Sequence, residues 1–185
     1  MSPTRLLFAL LLAVPMAHSL PASAAYDHLY AFGDSLSDDG NLFELTGGLY
    51  PPPPYFGGRL SNGPVAVEYL ADSLGIGLTN LSVAGARTGT PPGGIGSDNY
   101  IDDDNTFFPE NYFNGTGVTA QVDGFVSNLG PARASASSLY FIWAGPNDYF
   151  LLANAAAGPA DPTPLITNAI GNLQYSVGAP YAACA

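Results

Sequence analysis

Three short stretches of this 185-residue sequence carry residue types that acyl-transfer chemistry needs. Ser35 follows Gly33-Asp34, Gly85 closes the run Leu81-Ser82-Val83-Ala84, and Asn147 stands within Gly145-Pro146-Asn147-Asp148. In acyl transfer a hydroxyl attacks a carbonyl carbon, and hydrogen-bond donors must hold the oxyanion that develops. Ser35 is the candidate nucleophile. The backbone N–H groups of Ser35 and Gly85 and the side-chain amide of Asn147 are the candidate oxyanion donors, each worth roughly 3 kcal/mol of barrier when well aimed. Glycine at position 85 lets the backbone approach a ligand closely.

Each of these residues follows an apolar run of strand length. His28–Phe32 reads H-L-Y-A-F and stops at Gly33; Thr79–Ala84 reads T-N-L-S-V-A; Ser138–Ala144 reads S-L-Y-F-I-W-A. Between the strands, helices are predicted over 64–74, opened by Asn62 or Gly63, and over 118–129, with a short one near 42–45 and a last one over 164–177. Alternation of strand and helix with continuously apolar strands predicts an α/β fold, a parallel sheet covered on both faces. Ligands of such open sheets bind at the carboxyl edge of the strands, where all three candidates would fall. The stretch 47–63, with four consecutive prolines at 51–54, is expected to be a loop or extended spacer. Stretch 88–117 is expected to be a substrate-side loop or insertion; its Asp98 and Asp102–Asp104 lack EF-hand spacing and read as a solvated acidic loop rather than a cation site. Trp143, Tyr140 and Phe141 are expected in the core. Asp34, Asp38 and Asn41 read as turn and capping residues, and Asn147 as an additional cap for a helix beginning beyond Asp148.

Arg5 ahead of the apolar run from Leu6 to Ala17, then Ala22, Ser23 and Ala24, form a signal-peptide pattern. Residues 1–25 are therefore expected to be a leader and 26–185 one domain, exported to the periplasm, cell envelope or medium. The apolar run is too short for a membrane span, which needs about 20 residues, and no transmembrane segment is expected. Without the leader the chain keeps three arginines and no lysine against fifteen acidic residues, a formal charge of −12. That charge argues against a nucleic-acid partner. The composition, 47% hydrophobic and 10% charged, supports a packed core. Cys184 is the only cysteine, so neither an internal disulfide nor a cysteine metal site can form. Neither a metal nor a cofactor is expected.

The run Phe32-Gly33-Asp34-Ser35-Leu36-Ser37-Asp38-Asp39-Gly40-Asn41 resembles the first block of the GDSL lipases and esterases, the SGNH hydrolases. Ser61-Asn62-Gly63-Pro64 with Glu68-Tyr69-Leu70-Ala71 is similar to the following segment in the branch with lecithinase- and hemolysin-like members. Asn80 to Thr88 resembles the block that brings the oxyanion glycine, here Gly85, and Gly145-Pro146-Asn147-Asp148 resembles the G-x-N-D block. The resemblance covers about residues 28–178. It implies a flavodoxin-like three-layer α/β/α sandwich that hydrolyses small-molecule or lipid carboxylic esters without a cofactor.

One block of that family is missing. A D-x-x-H segment would carry the general base and the carboxylate that orients it, and the sequence holds only His18, in the expected leader, and His28, before the first strand and expected to be structural. Three strands are also few for a doubly wound sheet. The sandwich is accordingly expected to be incomplete at its C-terminus, and these residues alone to be inactive. The alternative reading is a non-catalytic lipid- or carbohydrate-binding pseudoenzyme; an adhesion or surface protein, suggested by the leader, Asn114-Gly115-Thr116 and the Gly/Pro loops, carries less weight. Sequence reasoning leaves the oligomeric state open.

Overall fold

The computed structural model describes residues 26–94, 96–104, 107–129, 134–154 and 161–184; residues 1–25, the expected leader with His18, lie outside them. Three parallel strands, β1 (His28–Gly33), β2 (Gly77–Asn80) and β3 (Ser138–Trp143), form a sheet in the order β2-β1-β3. His28 pairs with Gly77 on one side of β1 and with Ser138 on the other, and the register to β3 runs through Gly33↔Trp143. Among the described residues β3 pairs with β1 alone.

The helices are α1 (Asn41–Leu45), α2 (Ala66–Leu74), α3 (Tyr100–Asp104), α4 (Val118–Leu129), α5 (Pro146–Asn154) and α6 (Thr163–Cys184). Strand alternation sends β1 side chains to two apolar layers. Leu29 and Ala31 pack with Val65, Val67 and Ala71 on the α2 side. Phe32 packs with Val118, Val122 and Phe125 of α4, and Tyr30, Ala179 and Ala183 join that cluster. Burial on both faces is what a parallel sheet requires, and the result is the expected α/β/α layering. The chain moves from β1 to β2 on one side and then crosses to β3 on the other. The carboxyl end of β1 is thus a topological switch point.

Several boundaries differ from expectation. β2 ends at Asn80 rather than Ala84, although Leu81 and Val83 still donate their N–H groups to the Ala31 and Gly33 carbonyls of β1 at 2.8 and 3.0 Å. Asn62 does not open α2; Val65 does, with its N–H donated to Glu68 Oε2 at 2.8 Å, while Arg59 pairs with the same carboxylate at 2.6 Å. α6 runs past residue 177 through Pro180 to Cys184. Trp143 is 45% exposed at the end of β3 rather than in the core. The described residues of 88–117, expected as a loop or insertion, include α3, and Asn99 forms an antiparallel bridge with Ala86.

A buried amide anchors the sheet to α4. Gln121 lies on the apolar face of α4 between Val118 and Phe125; its Oε1 accepts the Gly33 N–H at 2.8 Å and its Nε2 donates to the Gly33 carbonyl at 2.9 Å. Replacement by leucine preserves volume but leaves the buried Gly33 N–H without its acceptor, while the Gly33 carbonyl keeps the Val83 N–H and the Thr116 carbonyl loses the Gln121 amide. Gln121→Leu should therefore lower the free energy of unfolding by roughly 1–3 kcal/mol, read from urea denaturation; a loss below about 0.5 kcal/mol would mean that the Gly33 N–H finds another acceptor.

Candidate active site

β1 must turn after Gly33, where an added Cβ would stand 2.7 Å from the Trp143 carbonyl oxygen. Asp34 organises that turn. Its carbonyl accepts the N–H groups of Ser37 and Asp38, both at 3.0 Å, and its Oδ1 accepts that of Leu36 at 3.0 Å. Ser35 is carried on this turn, half-buried, two residues past the strand.

Asp38 links the turn to the second strand end. Its Oδ1 accepts the N–H groups of Gly40 and Asn41 at 2.8 and 2.6 Å, and its Oδ2 accepts those of Leu42 and Ala84 at 3.1 and 2.8 Å. The capping role expected for Asp38 is present, and the bond to Ala84 places the next residue, Gly85. Asn41 adds to the link by donating from Nδ2 to the Asn80 and Ser82 carbonyls.

Gly85 has φ +83°, and a side chain there would run into Asn99 Oδ1 and Ile101. Only glycine tolerates both the left-handed backbone and this contact. Asn147 is buried at the third strand end, where its Nδ2 donates to the Ala86 carbonyl at 2.8 Å. The amide is thus tied to the residue after Gly85 rather than capping a helix beyond Asp148; α5 already begins at Pro146. Arg87, fully buried, steadies the same corner: its Nε donates to the Asn147 carbonyl at 3.3 Å, its Nη1 to the Ser97 carbonyl, and its Nη2 forms an ion pair with Asp103 at 2.5 Å. Asp148 accepts the Thr88 N–H at 2.9 Å and the Thr88 hydroxyl at 2.7 Å.

The three candidate residues therefore stand at the carboxyl ends of three adjacent strands, cross-tied by buried carboxylates, amides and one guanidinium. Among the described residues, neither the Ser35 nor the Gly85 N–H donates a hydrogen bond to the protein, and the Ser35 hydroxyl makes none. Asn147 Nδ2 spends one of its two protons on Ala86.

His28 lies at the opposite end of β1, about 20 Å along an extended chain from Ser35. Its Nε2 bonds Thr79 Oγ1 at 2.8 Å and its ring packs on Gly77 and Tyr30, a structural role. The acidic stretch is not a solvated loop. Asp98 is buried and accepts the N–H groups of Gly115 and Gly117; Asp102 accepts that of Phe113 and the Ser97 hydroxyl; Asp103 pairs with Arg87. Sequence reasoning missed Gln121, Arg87, Asp148 and this stapling. Gln121 left a readable signal, a polar residue inside an apolar helical stripe.

A model of the GDSL-like lipase/acylhydrolase family matches residues 29–180. The chain belongs to that family. Two curated members are similar over shorter stretches. One is the phosphatidylcholine-sterol acyltransferase of Aeromonas hydrophila, 40% identical over 81 residues, which are 43% of this chain and 22% of that protein. The other is the thermolabile hemolysin of Vibrio parahaemolyticus, 46% identical over 57 residues, 30% of this chain and 14% of the hemolysin. Each match spans less than a quarter of the relative's length. As a GDSL-family chain the molecule has the α/β architecture anticipated from its alternating elements.

Burial pushes the Asp34 carboxyl up to about 6; the Leu36 N–H opposes this and the nearby Asp148 charge adds to it. Burial likewise raises Asp38 and Asp148 against the hydrogen bonds that favour their charged forms. For Asp34 the folded value lies above the ordinary 3.8. Below about pH 4 both folded and unfolded chains carry the proton and the fold loses nothing; as pH rises toward 6 the unfolded chain ionises first and stability falls. Asp34→Asn should make the decline of the urea midpoint between pH 4 and pH 6 shallower, by a few kcal/mol at most. An unchanged slope would assign that pH dependence to other groups.

Proposed function

We propose that this chain is the nucleophile- and oxyanion-bearing part of an exported carboxylic ester hydrolase. Ser35 Oγ attacks the ester carbonyl, and the N–H groups of Ser35 and Gly85 with the second proton of Asn147 Nδ2 hold the oxyanion. The observation that carries this reading is the buried N–H of Gly85, which has no acceptor among the described residues although almost every buried backbone donor in a folded protein has one. A donor left open next to Ala86, to which the Asn147 amide is tied, suits a developing negative charge, and it costs no reorganisation at the moment of reaction.

Family membership supports the ester substrate, and the names of the Aeromonas and Vibrio relatives favour a lipid ester. The leader pattern in residues 1–25 supports export. A base is still required, because an unassisted serine hydroxyl is a poor nucleophile near neutral pH and neither His18 nor His28 can serve. The reading therefore assigns the proton transfer to a D-x-x-H segment outside these 185 residues.

In a chain continued through such a segment, hydrolysis of p-nitrophenyl butyrate should disappear on Ser35→Ala. Asn147→Ala should lower kcat by about a hundredfold or more with the unfolding midpoint kept near that of the parent. Activity that survives Ser35→Ala would remove the nucleophile assignment. Ligand binding without turnover in the continued parent chain would favour the pseudoenzyme.

A further inference from the structure

Asn147 can serve as an oxyanion donor only if its side-chain amide is held in one orientation, because the gain comes from donors already aimed before charge develops. The bond from Nδ2 to the Ala86 carbonyl fixes one end of the arrangement. The next residue along, Arg87, fixes the other: its Nε donates to the main-chain carbonyl of Asn147 at 3.3 Å. Each segment thus grips the backbone of the other with a side chain, and the two bonds close a ring through 86–87 and 147. One bond alone would leave the start of α5 free to pivot about it. The ring sets both the position and the direction of the amide.

The guanidinium is itself immobilised. Arg87 is the largest fully buried side chain among the described residues. Its Nη1 donates to the Ser97 carbonyl at 2.5 Å, and its Nη2 pairs with Asp103 at 2.5 Å. Its main-chain N–H and carbonyl bond to the Asp98 carbonyl and the Val118 N–H, both at 2.9 Å. Gly96 keeps the space open, since a Cβ there would stand 3.1 Å from Nη1 and 2.6 Å from Asp103 Oδ2. A buried ion pair is a poor source of stability, because desolvation offsets most of the attraction. What the fork supplies instead is geometry: three nitrogens reach three acceptors on separate segments, which the point charge of a lysine cannot do.

We propose that Arg87 is a positioning residue for ester hydrolysis, holding the Asn147 amide on the oxyanion by way of the Asn147 carbonyl. The inference rests on the hydrolase reading and adds to it a buried residue that acts only through another. A loss at Arg87 should therefore appear in kcat rather than KM, and should need Asn147 in order to appear.

Two measurements test it. In the isotopically labelled 185-residue chain, the NMR order parameter of the Asn147 side-chain amide should fall from about 0.85, the range of a rigid group, to below about 0.6 on Arg87→Lys. In a chain continued through the D-x-x-H segment, Arg87→Lys should lower kcat for p-nitrophenyl butyrate about tenfold at a KM within about twofold of the parent's, and should add nothing to the loss in an Asn147→Ala background. Asp103→Asn, at a partly exposed side chain, releases one arm of the guanidinium without opening the core. It should loosen the amide and lower kcat in the same direction by about threefold, which keeps the proposal testable where Arg87→Lys does not fold. Val67→Ala, in the apolar layer under α2, should lower the thermal midpoint and leave kcat unchanged. A kcat kept by both Arg87→Lys and Asp103→Asn, or losses that multiply with that of Asn147→Ala, would make Arg87 merely structural and overturn the proposal. So would an Asn147 amide that stays ordered in both variants. An amide that loosens in a protein whose continued form hydrolyses no ester would sink the hydrolase reading and leave the clamp standing, so the two fail separately.

Discussion

The Asp38 carboxylate is the tie on which the arrangement depends. Its two oxygens receive four backbone N–H groups, three from the start of α1 and one from Ala84 beyond β2. Asp38, Leu42 and Ala84 are buried where the Ser35 turn meets the residue before Gly85. Burial of a charge is tolerable when its lone pairs are filled, and each such bond to a charged acceptor is stronger than a neutral one. Around this tie the remaining contacts fall into order. Gln121 holds the end of β1 to α4, Arg87 and Asp148 hold the third strand end to residues 86–88, and Ser35 and Gly85 keep N–H donors that find no acceptor among the described residues.

Much of the fold was legible because the strands are apolar on both faces. β1 and β3 could be placed within a residue or two, since His28-Leu29-Tyr30-Ala31-Phe32 and Ser138 to Trp143 must bury alternate side chains under different helices. β2 was less legible. Its regular pairing involves Gly77–Asn80, partly exposed, whereas the apolar segment that drew attention, Leu81 to Ala84, continues along β1 through alternate hydrogen bonds outside the regular strand. Local pattern sees burial; it does not see which backbone groups pair.

The candidate site divides along the same line. Ser35, Gly85 and Asn147 were readable because each interrupts an apolar run with a residue whose chemistry differs from its surroundings. The partners that hold them were not readable, since their contacts join positions tens of residues apart: Asp38 to Ala84, Arg87 to Asn147, Thr88 to Asp148. The misreading of Asp98 and Asp102 has the same origin. An acidic, glycine-rich stretch reads as solvated until tertiary structure supplies the N–H groups of Gly115, Gly117 and Phe113 as partners.

The one-sided pairing of β3 bears on how the chain behaves in solution. Its segment Ser138-Leu139-Tyr140-Phe141-Ile142-Trp143 has no charge, proline or glycine, and among the described residues its outer edge has no strand beside it. Unpaired, uncharged edges of this composition recruit further strands, from the same chain or from other copies. With a formal charge of −11 to keep copies apart, the balance between colloidal repulsion and edge-to-edge aggregation becomes sensitive to ionic strength, and salt shifts it toward association.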